Sequence, residues 1–276
     1  MNPHALHSTT FKSMLLGLWQ NKNLIGQLTR REVVGRYKGS MIGLAWSFLN
    51  PLFMLVVYTF VFSVVFKARW GTGVDESKTQ FAVILFIGLI AHGLFAEVLN
   101  RASTTIISNT NYVKKVVFPL EVLVAINMGS ALFHLAASVI VLLVALVIFN
   151  GGLHWTTIFL PLVLMPLIIL CMGLSWIIAS LGVFVRDMGQ AINILTTVML
   201  FLSPVFFPIT ALPEQLRPVI MFNPLTFIIE QARAVTIWGL LPNWQGILIY
   251  TVVALLVAWA GYAWFQKTRK GFADVL

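Results

Sequence analysis

The sequence predicts an all-α membrane protein with six transmembrane helices. Of its 276 residues, 59% are hydrophobic and only 10% are charged, against about 25% charged in an average soluble domain. Long apolar runs recur along the chain, and a helix needs roughly 20 apolar residues to cross a bilayer core of about 30 Å. Helices are expected because a chain in lipid must satisfy its own backbone hydrogen bonds, and the runs are too long for barrel strands.

The segment before the first run predicts an amphipathic helix at the membrane surface. Apolar residues recur at helical spacing from Phe11 to Leu28. Glu32 and Arg36, four positions apart on the charged face, are expected to pair with each other. Residues 1–40 are therefore interpreted as an interface helix. The apolar piece Met14–Leu18 is too short for a cleavable signal peptide.

Six apolar runs form the predicted bundle of residues 41–265. Their bounds are Met41–Phe66, Phe81–Leu99, Val122–Phe149, Thr157–Val185, Ala191–Phe207 and Ile247–Phe265. Asn50-Pro51 predicts a kink in the first run because proline removes a backbone donor. From Pro208 to Trp244, short apolar pieces alternate with prolines, which predicts re-entrant or interfacial half-helices on the outer side. No linker marks a second domain, so the chain is interpreted as a single transmembrane domain with a tail of residues 266–276.

The distribution of Lys and Arg residues orients the bundle. Thirteen of the 18 lie in the N-terminal segment, the loop after the second run, the turn after the fourth and the tail, which an even number of spans places on one side. Positive loops face the cytoplasm, so both termini are predicted to be cytoplasmic. The net charge of +9 then serves orientation and attraction to anionic membrane lipid, and we do not interpret it as nucleic-acid binding.

Signatures of an autonomous enzyme or an ion-coupled carrier are missing from the sequence. It has no Gly-Lys-Ser/Thr phosphate loop, no Gly-x-Ser-x-Gly elbow and no histidines at metal-ligand spacing. No catalytic or metal-binding residue is therefore predicted. His134 stands alone as an ionisable residue in the third span and is interpreted as a packing or hydrogen-bonding residue, Glu97 lies near the cytoplasmic end of the second, and Cys171 is interpreted as inert packing. Any active transport must draw its energy from elsewhere.

Several short motifs occur in order along nearly the whole chain. They are LTRREVVGRYKGSMIGLAWSFLNPLF at Leu28–Phe53, Phe118-Pro119, Val185-Arg186-Asp187, SPVFFP at Ser203–Pro208, Asn223-Pro224 and the tail Lys270–Leu276. Together they make the chain similar to the membrane (permease) subunits of type-2 ABC exporters that move polysaccharides, the O-antigen, capsule and teichoic-acid permeases.

The resemblance implies a complex and a substrate. Two six-span subunits would form a homodimer and bind two copies of a cytoplasmic ATPase, which would hold ATP and Mg, so that this chain itself needs no cofactor. The complex would export a glycan attached to a polyprenyl-diphosphate lipid across the bacterial cytoplasmic (inner) membrane. Within the same architecture, the alternative is an exporter of a drug or lipid.

The resemblance and the residue chemistry indicate three sets of functional residues. The interface helix would contact the ATPase through Arg31, Glu32, Arg36, Tyr37 and Lys38. A coupling loop would fit a cleft on the ATPase with Ser108, Asn109, Asn111, Tyr112, Lys114 and Lys115. Aromatic rings suit the apolar C–H faces of sugars, and the channel-lining candidates are Trp46, Phe53, Tyr58, Phe201, Phe206 and Phe207.

Other interpretations of these residues remain open. The cations of the interface helix are also typical of anchors at a cytoplasmic membrane surface, and an arginine fork suits the diphosphate of the lipid-linked substrate. The loop is also compatible with a solvated connector, and the aromatic residues with packing or an interfacial belt. A membrane glycan polymerase or acyltransferase would need acidic residues clustered at one membrane face, whereas Asp75, Glu76, Glu214 and Glu230 are scattered. A passive scaffold or pore would not depend on an ATPase.

Overall fold

The computed structural model of the chain describes residues 8–65, 70, 78–114 and 118–276. Within these residues the regular elements are helices, and no strand occurs. The α-helices are α1 (Phe11–Gln20), α2 (Lys22–Arg36), α3 (Trp46–Tyr58), α4 (Lys78–Ala102), α5 (Thr110–Lys114), α6 (Glu121–Asn150), α7 (Leu160–Phe184), α8 (Met188–Leu202), α9 (Arg217–Met221), α10 (Pro224–Thr236), α11 (Trp244–Thr268) and α12 (Phe272–Val275). The predicted all-α class is therefore confirmed.

Five helical segments of the described chain are long and apolar enough to cross a membrane. Their bounds are Gly43–Phe62, Phe81–Ala102, Glu121–Asn150, Trp155–Phe184 and Trp244–Val275. They coincide with the first four and the sixth predicted spans. The fifth predicted span corresponds to α8, whose 15 residues rise about 22 Å and fall short of a bilayer core. The count of six spans stays a prediction.

One asparagine joins the end of α8 to the start of α10. Asn223 Nδ2 donates to the Ser203 hydroxyl at 2.9 Å and to the Leu202 carbonyl at 3.2 Å. The side-chain oxygen of Asn223 accepts from the backbone N–H of Leu225 at 2.9 Å, which caps α10. The segment rich in proline between α8 and α11 thus folds into short helices. Whether α9 and α10 are re-entrant in a bilayer stays a prediction.

The N-terminal segment forms two helices rather than one continuous helix. α1 ends and α2 begins at Asn21, whose side-chain amide donates to the Gly17 carbonyl at 2.8 Å. α1 packs against α11 and buries Met14, while α2 packs against α6 and buries Val33. Part of the apolar face predicted for this segment therefore contacts other helices of the same chain, while Phe11 and Leu15 are exposed.

α4 lies at the centre of the bundle, and α3 lies at its periphery. α6, α7, α8 and α10 pack against α4, and 72% of its apolar window is buried. Only 11% of the corresponding window around α3 is buried. Pro51 lies inside α3, as the sequence indicates, and the helix continues beyond Tyr58 as a π-helix over Thr59–Val65. Most apolar side chains of α3 therefore face away from the bundle.

Two glycines allow α7 and α11 to pack with their backbones in contact. A Cβ atom added at Gly173 would lie 2.6 Å from the backbone nitrogen of Ala258, and one added at Gly261 would overlap the Gly173 carbonyl. Small residues at such contacts are typical of membrane helix pairs. Cys171, two residues before this contact in α7, is buried as the sequence analysis expects.

Candidate functional site

α2 approaches α6 where the side chains are small. Thr29 of α2 meets Gly129 of α6, and a Cβ atom added at Gly129 would lie 2.6 Å from the Thr29 hydroxyl oxygen. Val33, one turn further along α2, is buried. Because this face of α2 packs against α6, Glu32 and Arg36 contact the C-terminal end of α4, which is predicted to be the cytoplasmic end.

Five charged or titratable side chains join α2, α4 and α6. We name this group the Glu97 cluster; its members are Glu32, Arg36, Glu97, Arg101 and His134. Glu97 Oε1 accepts from Arg36 Nη1 at 2.8 Å and from His134 Nδ1 at 2.8 Å. Arg101 Nη1 lies 3.5 Å from the same oxygen, and Arg101 also pairs with Glu32. One carboxylate therefore holds groups from three helices.

The hydrogen bonds around His134 favour one tautomer of its ring. The Glu97 carboxylate only accepts hydrogen bonds, so His134 Nδ1, 2.8 Å from Glu97 Oε1, holds the ring proton and donates to it. Burial raises the pKa of the Tyr37 phenol, so Tyr37 keeps its proton at neutral pH and donates to the unprotonated Nε2, 3.2 Å away. His134 thus makes helix-to-helix hydrogen bonds, as the sequence analysis expects, although it does not stand alone.

The predicted pair of Glu32 with Arg36 within α2 is wrong. Glu32 pairs with Arg101, and Arg36 pairs with Glu97, so each residue finds its opposite charge on α4. The reason is that α2 is packed beside α4 and α6, and partly buried cross-helix partners offer a less hydrated ion pair than an exposed pair on one helix surface. A sequence pattern shows only neighbours on the same helix.

The predicted interface helix and coupling loop meet at one hydrogen bond. Arg31 Nη2 donates to the Tyr112 hydroxyl at 3.3 Å, while Lys38, beyond the end of α2, is exposed. A polar cavity of about 340 Å³ lies between α2 and the loop and is lined in part by Glu32 and Arg101. The structure therefore brings part of the two predicted contact sets together beside the Glu97 cluster.

The predicted coupling loop is a 3-10 turn over Ile107–Asn109 followed by α5. Ser108, Asn111 and Lys114 are exposed, whereas Asn109 is half-buried. The neighbouring Ile106 is buried and anchors the turn. Lys115 lies outside the described residues. The exposed side chains of this short element are available to a partner protein.

Some of the predicted channel-lining aromatic residues form a row. Ring centroids are 6.4 Å apart for Tyr58 and Phe62, 5.6 Å for Phe62 and Phe206, and 5.8 Å for Phe206 and Phe201. The row joins the first span to the segment around the end of α8. Phe62 is absent from the predicted set, although it follows Tyr58 by four residues and so lies on the same helix face.

The other predicted aromatic residues lie outside this row. Trp46 Nε1 donates to the Ser40 hydroxyl at 3.0 Å, near the start of α3. Phe53 is exposed on α3, and Phe207 is half-buried after α8. The six aromatic candidates therefore do not form one continuous surface within a single chain.

A cavity of about 660 Å³ lies between the first span and the centre of the bundle. α3, α4, α6 and α8 contribute to its lining, which includes polar groups of Ser47, Asn50 and Tyr58 from the first span. Arg36, Tyr37, Glu97 and His134 also line it, so the Glu97 cluster forms part of its wall. The cavity is thus amphipathic, with apolar walls and a concentrated polar region.

A second charged group, missed by the sequence analysis, surrounds Arg233 of α10. Its guanidinium is fully buried and donates to the carbonyls of Ile84 and Val205, each at 3.2 Å, and to Glu230 at 2.8 Å. The guanidinium carbon also lies 4.1 Å from the ring centroid of Trp70. We name these residues the Arg233 cluster. The signal in the sequence is an arginine within an apolar segment, which predicts burial with partners rather than exposure.

Comparison with known proteins shows similarity over nearly the whole chain. The sequence pattern of the family described as ABC-2 type transporter matches residues 23–237. The chain is 25% identical to the O-antigen export system permease protein RfbA of Myxococcus xanthus over 259 residues, which are 93% of this chain and 96% of that protein. It is 28% identical to the polysialic acid transport protein KpsM of Escherichia coli over 259 residues, 92% of this chain and 96% of KpsM. It is 24% identical to the capsule polysaccharide export inner-membrane protein CtrC of Neisseria meningitidis serogroup A over 266 residues, 95% of this chain and 97% of CtrC.

Proposed function

The chain belongs to the ABC-2 type transporter family, and on this premise we propose that it is the permease subunit of an ABC exporter for an O-antigen-like or capsule-like polysaccharide. The observation that supports this function best is the full-length similarity to permeases for O-antigen, polysialic acid and capsule polysaccharide. These relatives favour a polysaccharide over the drug or lipid of the alternative. Inner-membrane location follows from the same relatives and from the five apolar helices.

The energy for export comes from a separate ATPase that binds two copies of this chain. The sequence has no phosphate loop of its own. The charged positions Arg31 and Lys38, with the exposed side chains of α5, present a cytoplasmic contact surface for that ATPase. Arg36 and Tyr37 form hydrogen bonds with Glu97 and His134 of the same chain. They therefore position the contact surface more than they form it.

The polysaccharide crosses the membrane along the face of α3 and α8. α3 exposes Phe53, and the end of α8 exposes Phe201, while the aromatic row joins these two segments. In a homodimer these faces of two subunits enclose the path, and aromatic rings make weak contacts that a sliding sugar polymer makes and breaks. α8 with the residues after it completes the six spans, and both termini are cytoplasmic.

The lipid-linked end of the glycan is held beside the cavity of about 660 Å³. The apolar walls of the cavity suit a polyprenyl chain, and the arginine at its polar region suits a diphosphate. Arg36 is the group available for this role, because its side chain is 47% exposed even while it pairs with Glu97.

The test is deletion of the gene in the native cells, followed by complementation and isolation of the tagged protein under gentle extraction. We expect loss of surface polysaccharide in the deletion strain, accumulation of lipid-linked glycan inside, and recovery of a nucleotide-binding subunit with the tagged protein. The matched control is complementation with the native permease plus an ATPase inactivated in its phosphate loop. Unchanged surface polysaccharide, with the protein recovered alone, would contradict the proposed function.

A further inference from the structure

We propose that Glu97 fastens α2 to α4 and α6, so that these three helices move as one unit against α3 and thereby change the cavity between them. This inference rests on the proposed function, because it assigns the moving part of the permease. Glu97 is a positioning residue in this account: it holds the helix next to the ATPase contact surface on the helices that line the cavity.

The ionic contacts join the three helices at one point. Glu97 of α4 accepts from Arg36 at the end of α2 and from His134 of α6, both at 2.8 Å. A second ion pair, Arg101 with Glu32, again connects α4 with α2. Arg36 is half-exposed, whereas Glu32, Glu97, Arg101 and His134 are partly buried, so water weakens the second ion pair and the contact with His134 less than the first ion pair. A displacement of α2 is therefore passed to both α4 and α6.

Steric contact makes the same connection independently of charge. The Thr29 hydroxyl oxygen lies 2.6 Å from the position of a Cβ atom at Gly129, so α2 and α6 are as close as a glycine permits. Val33 is buried beside this contact. Sliding α2 along α6 would require these packed groups to separate.

The connection between α2 and the first span contains two glycines with positive φ, and the Ser40 hydroxyl between them accepts from Trp46 Nε1 at 3.0 Å. α2 ends at Arg36, and Gly39 (φ +89°) and Gly43 (φ +58°) lie in the connecting segment. No atom lies within 4 Å of a Cβ atom added at either glycine, so these positions need glycine for backbone conformation and not for space. Met41 between them is fully exposed. Such a segment absorbs backbone rotation at low cost, which is the property of a hinge.

The cavity lies between the two moving parts. Ser47, Asn50 and Tyr58 line it from the first span, whereas Glu97 and His134 line it from the opposite side. Motion of the three-helix unit about the Gly39–Gly43 segment consequently widens or narrows the cavity. ATPase closure would then act on the cavity through α2 and Glu97.

The first experiment locks α2 to α6 with a disulfide. The ideal Cβ position of Gly129 is 3.3 Å from the Thr29 Cβ, close to the separation of about 3.8 Å in disulfides. Thr29→Cys with Gly129→Cys is placed in a Cys171→Ala background, which removes the single native cysteine. ATP-dependent transfer of newly made polysaccharide into inverted membrane vesicles is measured by its protection from periodate. Thr29→Cys alone is the control, because Gly129→Cys alone would place its Cβ atom against the Thr29 hydroxyl.

We expect the oxidised and reduced forms of the double-cysteine variant to transfer polysaccharide equally, because α2 and α6 need not separate. The extent of disulfide formation is measured by loss of maleimide labelling. Transfer that is lost on oxidation and regained on reduction would overturn the inference, since α2 would then have to move relative to α6.

The second experiment removes the charge of Glu97 with the isosteric substitution Glu97→Gln. We expect polysaccharide transferred per ATP hydrolysed to fall roughly fivefold or more, while the amount of ATPase recovered with the variant stays at the native level. Glu121→Gln is the matched control, because Glu121 also forms an ion pair between elements, but its partner at 2.9 Å is Arg269, directly after α11, and not a residue of α2.

A ratio of transfer to ATP hydrolysis in Glu97→Gln equal to that of Glu121→Gln would overturn the inference. Native vesicles provide the separate check on the proposed function. If they transfer no polysaccharide, the proposed function fails. If they transfer it while Glu97→Gln retains the native ratio, only the role of Glu97 fails.

Discussion

The Glu97 and Arg233 clusters each tie several parts of the chain together around one charge, but they do so with opposite degrees of exposure. Arg36, Glu97 and His134 have side chains that are 47%, 21% and 15% exposed. The Arg233 side chain is 0% exposed and its partner Glu230 is 36% exposed. Water therefore still reaches the side chains of the Glu97 cluster, whereas it does not reach the arginine of the Arg233 cluster.

The two clusters also differ in the groups that hold the central charge. Glu97 is held by side chains from two other helices, those of Arg36 and His134. Arg233 is held mainly by the backbone carbonyls of Ile84 and Val205, which are fixed by the main chain. A buried cation without its acceptors is very costly. The comparison indicates that the Arg233 cluster is a buried joint between α4, α10 and the segment after α8, and that the Glu97 cluster joins α2, α4 and α6 through groups that water still reaches.

The largest expected effect on stability is that of Arg233→Met. The substitution leaves two buried carbonyls without their donor, so we expect the free energy of unfolding to fall by about 3–5 kcal/mol. Unfolding by SDS in mixed micelles measures the change. Arg217→Met is the control, because Arg217 also donates to two backbone carbonyls but lies partly exposed, and it should lower stability by about 1 kcal/mol or less. Equal losses in the two variants would remove the distinction between a buried and an exposed arginine.

Gly88→Ala tests how tightly the Arg233 cluster is packed. A Cβ atom at Gly88 would lie 3.1 Å from Arg233 Nη2 and 3.1 Å from the Val205 Cα. We expect a loss of about 1–3 kcal/mol in the same unfolding measurement. Gly93→Ala, in the same helix with no atom within 4 Å of its added Cβ, should be neutral or stabilising by up to about 1 kcal/mol. If neither Gly88→Ala nor Gly93→Ala changes the free energy of unfolding, the Arg233 cluster accommodates an added methyl group and is not tightly packed.

The smallest effect is expected for the ion pair of Arg36 with Glu97. A double-mutant cycle of Arg36→Gln and Glu97→Gln should give a coupling energy of about 0.5–1 kcal/mol that decreases with added salt, because Arg36 is half-exposed. The free energy of unfolding of the native protein, the two single variants and the double variant is measured at low and at high ionic strength, and the coupling energy is calculated from these four values. A coupling of several kcal/mol, insensitive to salt, would show that water does not screen this ion pair and would remove the contrast in exposure with the Arg233 cluster.

The sequence predicted much of the fold but little of the site geometry. Hydropathy located α4, α6 and α7 well because each is a long apolar run. It extended the fifth run to Phe207, whereas α8 ends at Leu202, because Ser203 is extended directly before Pro204. In the site, helical spacing suggested a pair between Glu32 and Arg36, although both residues pair across to α4. Cross-helix partners depend on how helices are rotated against each other, which a single sequence does not show.

What the sequence by itself determined is the class of the molecule: an all-helical, multi-span membrane protein without its own phosphate loop, similar to polysaccharide permeases. Composition and motifs suffice for this because bilayer thickness and nucleotide chemistry impose local patterns. Only the tertiary structure decided that Glu97 joins three helices, that Arg233 is buried on backbone carbonyls, and that Phe62 completes the aromatic row. These contacts link residues far apart in the chain, and they arise when helix packing brings complementary groups to the same place.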